Sequence, residues 1–291
     1  QKMTSAVDRV QPHIVHVFHF RGCGLLPFLS PCKRTEWVLD IRTLHVEDKH
    51  GQVTKHGFIK NRITWLESQP YGNILALTPS IEMMLRPSLR PIASLPLGAS
   101  LQRLNPPDKS ELRAAVRQAL HIEPDAPVLL YAGSISPSRE LGKVLEAFSL
   151  VARSRPGLRF ILIGSSRDDR HLHDLVGLAT TLGIRENVVF SGRVPYEEVH
   201  RFYCAADIGI SYVPLGTPFE LQPPTKLIEY LMCDNLVPLC NDAPASLALA
   251  TDMVNAVVCQ SSVDGIAQGL HTALSVRCDE VAFGALRRRA S

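Results

Sequence analysis

The sequence has no long apolar run. Nothing approaches the ~20 consecutive apolar residues that a membrane-spanning helix needs, so no such helix is expected. It has little net charge, with 31 basic against 28 acidic residues, or +3. That balance does not argue for nucleic acid, and there is no RRM, zinc-finger or helix-turn-helix signature. It has no CxxC. The seven cysteines, Cys23, Cys32, Cys204, Cys233, Cys240, Cys259 and Cys278, are odd in number and scattered. That excludes a regular disulfide framework and a zinc knuckle, and it fits a reducing compartment. Most of the cysteines read as small apolar core residues. The chain opens Gln-Lys-Met without a basic-then-apolar leader, so no secretory signal is expected. Internal repeats and low-complexity segments are also missing.

What is there is globular. Hydrophobic residues make up 45% and charged residues 20%, with a mean hydropathy of +0.05. Short apolar runs alternate with longer amphipathic stretches. His13–Phe20, Glu36–Ile41, Asn73–Leu77, Pro127–Tyr131, Arg159–Ile163, Asn187–Phe190, Asp207–Ser211 and Asn235–Leu239 read as strands. Most are too continuously apolar for a half-exposed antiparallel sheet, which predicts buried parallel strands. Gly142–Arg153, Asp169–Leu182 and Glu197–Ala206 read as helices. Alternating strand and helix gives an α/β, doubly wound plan. The clearest break is Pro96–Lys109, which predicts two domains, 1–105 and 106–291.

Three places carry candidate chemistry. In YVPLGTPFELQPPTKLIEYLMCDNLVPLC, Pro223 and Pro224 stand where a helix would start. Lys226 and Glu229 are i, i+3 beside that N-terminus. A carboxylate accepting two hydrogen bonds fits a ribose diol at Glu229, and Lys226 fits phosphate oxygens. A solvated Lys–Glu pair is the plainer reading of the same spacing. In YAGSISPSRELGK, a strand is followed by Gly133 and Ser134, with Arg139 close after. Ligands bind at such strand ends, although an ordinary βα turn has the same look. Gly164-Ser165-Ser166 and Gly192-Arg193-Val194 follow the next two strands. Glycines at three successive strand ends outline one crevice.

These segments together resemble the donor domain of family-4-type retaining glycosyltransferases of GT-B fold. The carrying residues are LLYAGSISPSREL, FILIGSS, VVFSGRVPYEEVHRFYCAADIGISYVP and PPTKLIEYLMCDNLVPL. The last matches the family's P-x-K-L-x-E-Y pattern. More loosely, QPHIVHVFHF and LPLGAS resemble segments of the family's first domain. The resemblance implies an α/β GT-B architecture of two Rossmann-like doubly wound parallel-sheet domains. It also implies that about three βα units are missing from the first, so that residues 1–291 alone would have little transferase activity.

It implies site roles as well. Glu229 would bind the donor ribose, and Arg139 falls where the family usually has a lysine on the diphosphate. Ser134 falls where many members have a companion arginine, and Gly133 lets the backbone approach the donor. Arg193 and Val194 would meet the base, and Pro224, Thr225 and Lys226 would line phosphates and sugar. The common E-x7-E pair would need an acid at Leu221; Glu220 is one residue off. Arg42, near Asp40 and Thr43, falls where many members carry a histidine.

The expected reaction moves a hexose from a nucleoside-diphosphate sugar to a saccharide or lipid-linked acceptor, as in surface polysaccharide or glycolipid synthesis. It needs no cofactor and no metal. His13, His16 and His19 alternate across a strand, which is poor metal geometry. A cytoplasmic location is expected. Any membrane contact would be weak and peripheral, at the basic tail Leu286-Arg287-Arg288-Arg289, where a solvated tail is the favoured reading. Two other classes stay open: a GT-B nucleotide-sugar epimerase and a non-catalytic nucleotide-sugar-binding module. Product analysis without acceptor separates the first, and donor binding without turnover identifies the second.

Overall fold

A computed structural model describes all residues except 1, 31–33, 44–54, 167–168, 218, 221, 254–255 and 289–291. It divides into two compact units, Gln1–Leu97 with Gly216–Pro218, and Gly98–Leu215 with Phe219–Ser291. The division falls before the expected 105/106. The short helix Leu101–Leu104 packs on Val199–Ala205 and Thr225–Met232, so this stretch belongs to the second unit rather than to a linker.

The first unit holds β1 (Ile14–Phe18), β2 (Glu36–Ile41), β3 (Asn73–Ala76) and β4 (Ile92–Ser94), all parallel and in that order across the sheet. Its helices are α1 (Lys2–Val10), α2 (Leu26–Leu29), α3 (Lys55–Ser68) and α4 (Pro79–Leu85). Thr78 starts α4 by accepting from Ile81 N–H at 3.3 Å, the N-cap chemistry of a threonine just outside a helix. One core joins Val17, Trp37, Leu39, Ile41, Ile74 and Ala76 to Tyr71, Ile81 and Leu85. In β1 the intervening Ile14, His16 and Phe18 are exposed.

The second unit holds β5 (Val128–Ala132), β6 (Arg159–Ile163), β7 (Val188–Gly192), β8 (Ile208–Ser211), β9 (Val237–Asn241) and β10 (Val257–Cys259). The order is β10-β9-β8-β5-β6-β7, again all parallel. Its helices are α5 (Leu101–Leu104), α6 (Lys109–Ala119), α7 (Leu141–Ala152), α8 (Asp169–Thr181), α9 (Val199–Ala205), α10 (Thr225–Met232), α11 (Pro244–Met253), α12 (Val263–Cys278) and α13 (Glu280–Arg288). Every residue of β5, β8 and β9 is buried, as strands covered on both faces must be. Alternate residues of β5 enter two cores. Leu129 and Tyr131 join α7 and α12 residues; Val128, Leu130 and Ala132 join α9 and α10 residues.

Asp207 fixes the middle of this sheet. It is 4% exposed, and its Oδ2 accepts from Val128 N–H (2.9 Å) and from Arg117 Nη2 (2.9 Å). Its Oδ1 accepts from Arg113 Nη2 (2.8 Å). Arg117, equally buried, spends its remaining donors on the carbonyls of Ala205, Glu123, Pro124 and Ala126. A buried charge is tolerated only when paired and hydrogen-bonded, and this one is both.

Cys23, Cys204, Cys233, Cys240 and Cys259 are buried; Cys278 is exposed. Burial pushes the Cys240 and Cys259 thiols up to about 12, which leaves them unreactive near neutrality. Among the described residues no helix is long and apolar enough to cross a membrane.

Candidate functional site

The strand order reverses between β5 and β8. From β5 the chain winds outward through β6 and β7, then returns to β8 and winds the other way. Loops leaving the carboxyl ends of β5 and β8 therefore part, and a crevice opens between them. A cavity of about 290 Å³ lies there. Its walls are Tyr131 to Ser134 and Arg139 after β5, Ile210 to Val213 along β8, and Phe219 with Gln222 to Lys226. It shares Ala132, Gly133, Ser134 and Lys226 with a second cavity of about 330 Å³, which adds Gly164, Ser165, Arg193 and Val194. The crevice thus runs along the carboxyl ends of β8, β5, β6 and β7.

Small residues shape its floor. A Cβ on Gly164 would lie 1.9 Å from the Gly133 carbonyl oxygen, so the two loops touch backbone to backbone. Gly133 N–H donates to Ile163 O (2.9 Å), and Gly164 N–H donates to Gly192 O (2.9 Å). These bonds line up the three strand-end glycines that the sequence picks out.

The cationic wall is held from behind. Arg139 Nε donates to Ser134 Oγ (3.2 Å), and its guanidinium carbon stands 4.1 Å from the centre of the Phe219 ring. Stacking on an aromatic face and a neutral hydrogen bond leave the charge unpaired by any carboxylate within that pair of contacts. Helix α10 begins at the crevice, with Pro224 as its N-cap, so its first backbone N–H groups have no intrahelical acceptor.

Helix α10 is pinned by tyrosines. Tyr230 is fully buried, and its hydroxyl accepts from Ala132 N–H (3.1 Å) at the end of β5. Gly209 in β8 makes room for it, since a Cβ there would lie 2.6 Å from the Tyr230 ring. Tyr203 packs edge-on against Tyr230, with ring centres 5.4 Å apart. Burial and the nearby Tyr230 and Glu229 raise the Tyr203 hydroxyl far above its ordinary value, so it stays a donor. Tyr203 OH donates to Glu229 Oε2. Lys226 Nζ donates to the same oxygen (2.8 Å) and to Tyr203 OH (3.0 Å). The Lys–Glu pair of the sequence is therefore a half-buried triad with a tyrosine, not a solvated surface pair.

The structure brings Gly133, Ser134, Arg139, Pro224, Thr225 and Lys226 to one cavity, and Arg193 and Val194 to the adjoining one. Glu229 lines neither. It faces a narrow recess of about 20 Å³ with Arg103, Tyr196 and Tyr203. Leu221 lies outside the described residues; the Glu220 carbonyl accepts from Ala245 N–H (2.9 Å). Arg42 stands in the first unit. Its Nε and Nη2 both donate to Asp40 Oδ2 (3.0 and 2.9 Å), which also meets His16 Nε2 (3.1 Å). Tyr203, Tyr230, Gly209 and Phe219 escaped the sequence reading. All four lie inside stretches that the sequence reading quotes, but pattern says nothing about a partner on another segment.

His19, Cys23 and Glu67 bring potential ligand atoms within 4.8 Å of one another. Glu67 already accepts from Gly22 N–H (2.6 Å), Arg21 Nη1 (3.3 Å) and the His19 ring (2.9 Å). Burial raises the Cys23 thiol, which holds it protonated. The trio reads as a clasp fixing the turn before α2 onto α3.

Two parallel-sheet α/β domains, one with a ligand crevice at its switch point, define the class: a GT-B glycosyltransferase fold. The family model described as glycosyl transferases group 1 matches residues 113–285, more than half of the chain, and the chain belongs to that family. A D-inositol 3-phosphate glycosyltransferase of Nocardia farcinica is 34% identical over 118 residues, 39% of this chain and 25% of that protein. An alpha-monoglucosyldiacylglycerol synthase of Streptococcus pneumoniae is 30% identical over 118 residues, 40% of this chain and 26% of that protein. The matched region thus spans about a quarter of these relatives' length. Among solved structures, Anabaena Alr3699/HepE in complex with UDP and glucose superposes with a TM-score of 0.73 at 14% identity. That likeness covers 99% of this chain and 75% of the other, and it speaks to the fold.

Proposed function

We propose that this chain moves a hexose from a nucleoside-diphosphate sugar to a saccharide or lipid-linked acceptor, with retention at the anomeric carbon and without a metal. The observation that carries the reading is the switch-point crevice with Arg139, Lys226 and the start of α10 on its walls. A diphosphate is the ligand such a wall suits, because guanidinium, ammonium and orphan N–H groups all favour its oxygens.

The base and ribose would lie toward Arg193 and Val194, with Gly133 and Gly164 allowing close approach. Glu229, in the recess that shares Val199 with the Arg193 and Val194 cavity, would take a ribose hydroxyl on Oε1, since Oε2 is engaged by Lys226 and Tyr203. Pro224 and Thr225 would border the sugar. In the transfer step an acceptor hydroxyl oxygen bonds to the anomeric carbon. The bond from that carbon to the diphosphate breaks, its electron pair leaves with the diphosphate, and the hydroxyl proton passes to a diphosphate oxygen. Arg139 and Lys226 stabilise the charge that develops on the leaving group. Arg42, oriented by Asp40, is assigned to the acceptor side. The family-4-type retaining mechanism, a cytoplasmic location and a role in polysaccharide or glycolipid synthesis belong to the same reading.

Calorimetry with UDP, GDP and ADP tests it. One nucleotide diphosphate should bind, and Arg139→Ala should weaken it. Failure of all three to bind sinks the reading. Donor binding with no turnover on any acceptor reduces it to a binding module. Transfer that chelator abolishes overturns the metal-free part.

A further inference from the structure

Three side chains close a ring beside the crevice. Lys226 Nζ donates to Tyr203 OH (3.0 Å) and to Glu229 Oε2 (2.8 Å), and Tyr203 OH donates to that same oxygen. In a closed ring of hydrogen bonds each member limits the other two. Lys226 and Glu229 stand on α10, whereas Tyr203 stands on α9 and is 1% exposed. The lysine and glutamate side chains stay partly open, at 26% and 14%. The tyrosine is therefore the buried corner, and the two charged groups are the corners that a ligand can reach.

The ring leaves one hydrogen-bonding group uncommitted on each charged corner, among the described residues. An ammonium has three protons to donate, and Lys226 spends two of them within the ring. Of the two Glu229 oxygens the ring takes Oε2. Lys226 lines both larger cavities and Glu229 the narrow recess; Tyr203 lines the recess alone. Tyr203 is itself held from behind. Asn235 Nδ2 donates to its carbonyl (2.8 Å), and its ring packs against Tyr230, which is tied to the end of β5 through Ala132 N–H. A long side chain loses rotamer freedom when a ligand stills it, and a group already held loses less.

We propose that Tyr203 is a positioning residue of the donor site, whose hydroxyl makes recognition of the ribose diol and of the diphosphate depend on each other. The proposal rests on the transferase reading for its ligand. A diol on Glu229 Oε1 steadies the carboxylate. Through the tyrosine hydroxyl that also steadies Lys226 at the phosphates, and the reverse holds equally. Without the hydroxyl, Lys226 and Glu229 keep only an i, i+3 contact, a weak tie for two half-open side chains. The two ends of the nucleotide are then read separately.

Calorimetry on the whole chain tests this, with whichever of UDP, GDP and ADP binds and with its 2′,3′-dideoxy counterpart. In the unmodified chain, loss of the diol should weaken binding about tenfold. Tyr203→Phe keeps the aromatic ring, so the unfolding midpoint should change little. It should weaken the ribonucleotide about tenfold and the dideoxy form about twofold, so that the diol is then worth only about twofold. Lys226→Met opens the hydrogen-bond ring at another corner and should shrink the worth of the diol in the same way. It supplies the second probe if Tyr203→Phe does not fold. Tyr230→Phe opens no corner, and it should lower the unfolding midpoint while keeping the tenfold ratio. An undiminished ratio in Tyr203→Phe, or unchanged affinity, overturns the proposal and leaves the transferase reading standing. So does a diol that is worth nothing in the unmodified chain. Equal shrinkage in Tyr230→Phe overturns it as well, by making the effect a general loosening of α10. If none of the three diphosphates binds the unmodified chain, the transferase reading fails and this proposal falls with it.

Discussion

In the first unit β1 to β4 succeed one another across the sheet, so each crossover steps the same way. Right-handed crossovers stepping one way put their helices on one face, and a single core results. In the second unit β5 to β7 step one way and β8 to β10 the other, which gives a core on each face and parted loops in the middle. Both sheets are parallel and rich in the same residues. The crevice belongs to the one that reverses. Where it reverses, the chain invests buried charge at one end of the strands, at Asp207, and glycine at the other, at Gly164. The first sheet has a buried carboxylate too, Asp40 near the carboxyl end of β2, but it is shared by His16 and Arg42, whose side chains are both about two-fifths exposed.

The largest expected effect follows from that contrast. Asp207→Ala leaves Arg117 buried without its partner and Val128 N–H without its acceptor. It should cost about 3–5 kcal/mol in urea unfolding. Asp40→Ala releases partners that reach water and should cost about 1 kcal/mol. Equal costs at the two positions would mean that reversal of the sheet places no special demand on its central strands.

The second effect separates the glycines. Gly164→Ala drives a Cβ into the Gly133 carbonyl, where backbone must move. About 2–3 kcal/mol should be lost, together with nucleotide affinity. At Gly72, beside the first sheet, the added Cβ finds its nearest neighbour 3.8 Å away, and Gly72→Ala should stay within about 0.5 kcal/mol. Calorimetric unfolding with and without nucleotide reads both quantities.

The sequence made much of this legible where the signal was periodic or punctuated. β2 and β6 were read at their true limits, and the other long strands to within two residues at each end. β4 and β10 were missed. Each is three residues long at a sheet edge, too short for a period to show. The glycines at three strand ends were read as one crevice, and Gly133, Gly164 and Gly192 are stitched together by backbone bonds. What stayed hidden was contact between distant segments. Nothing near Lys226 in the sequence announces Tyr203, 23 positions earlier, as the hydroxyl that joins it to Glu229. Nothing near Arg139 announces Phe219.

That last pair gives the third test. Arg139→Ala removes a charge from the crevice and little packing. Affinity for a nucleoside diphosphate should fall about 10–100-fold while the unfolding midpoint holds. Phe219→Leu keeps the charge and removes the aromatic face that steadies it, so the loss should be about three- to fivefold. A larger loss for Phe219→Leu than for Arg139→Ala would mean that the ring itself meets the ligand.

Arg42 should show the smallest effect on binding, and for that reason it sharpens the comparison most. If the reversed sheet alone makes the nucleotide site, a cation at the carboxyl end of the other sheet adds nothing to nucleotide affinity. Arg42 is committed to Asp40 through two hydrogen bonds, and its guanidinium lies 4.7 Å from the Phe18 ring. It is therefore positioned, but by its own unit. Arg42→Ala should leave the dissociation constant of the bound nucleotide within about twofold, the size expected when no contact is lost. Transfer to a responsive acceptor should still fall, because the cation assigned to the acceptor side is gone. A drop in nucleotide affinity matching that of Arg139→Ala would place both residues on the same ligand. The division of labour drawn from the two winding patterns would then fail.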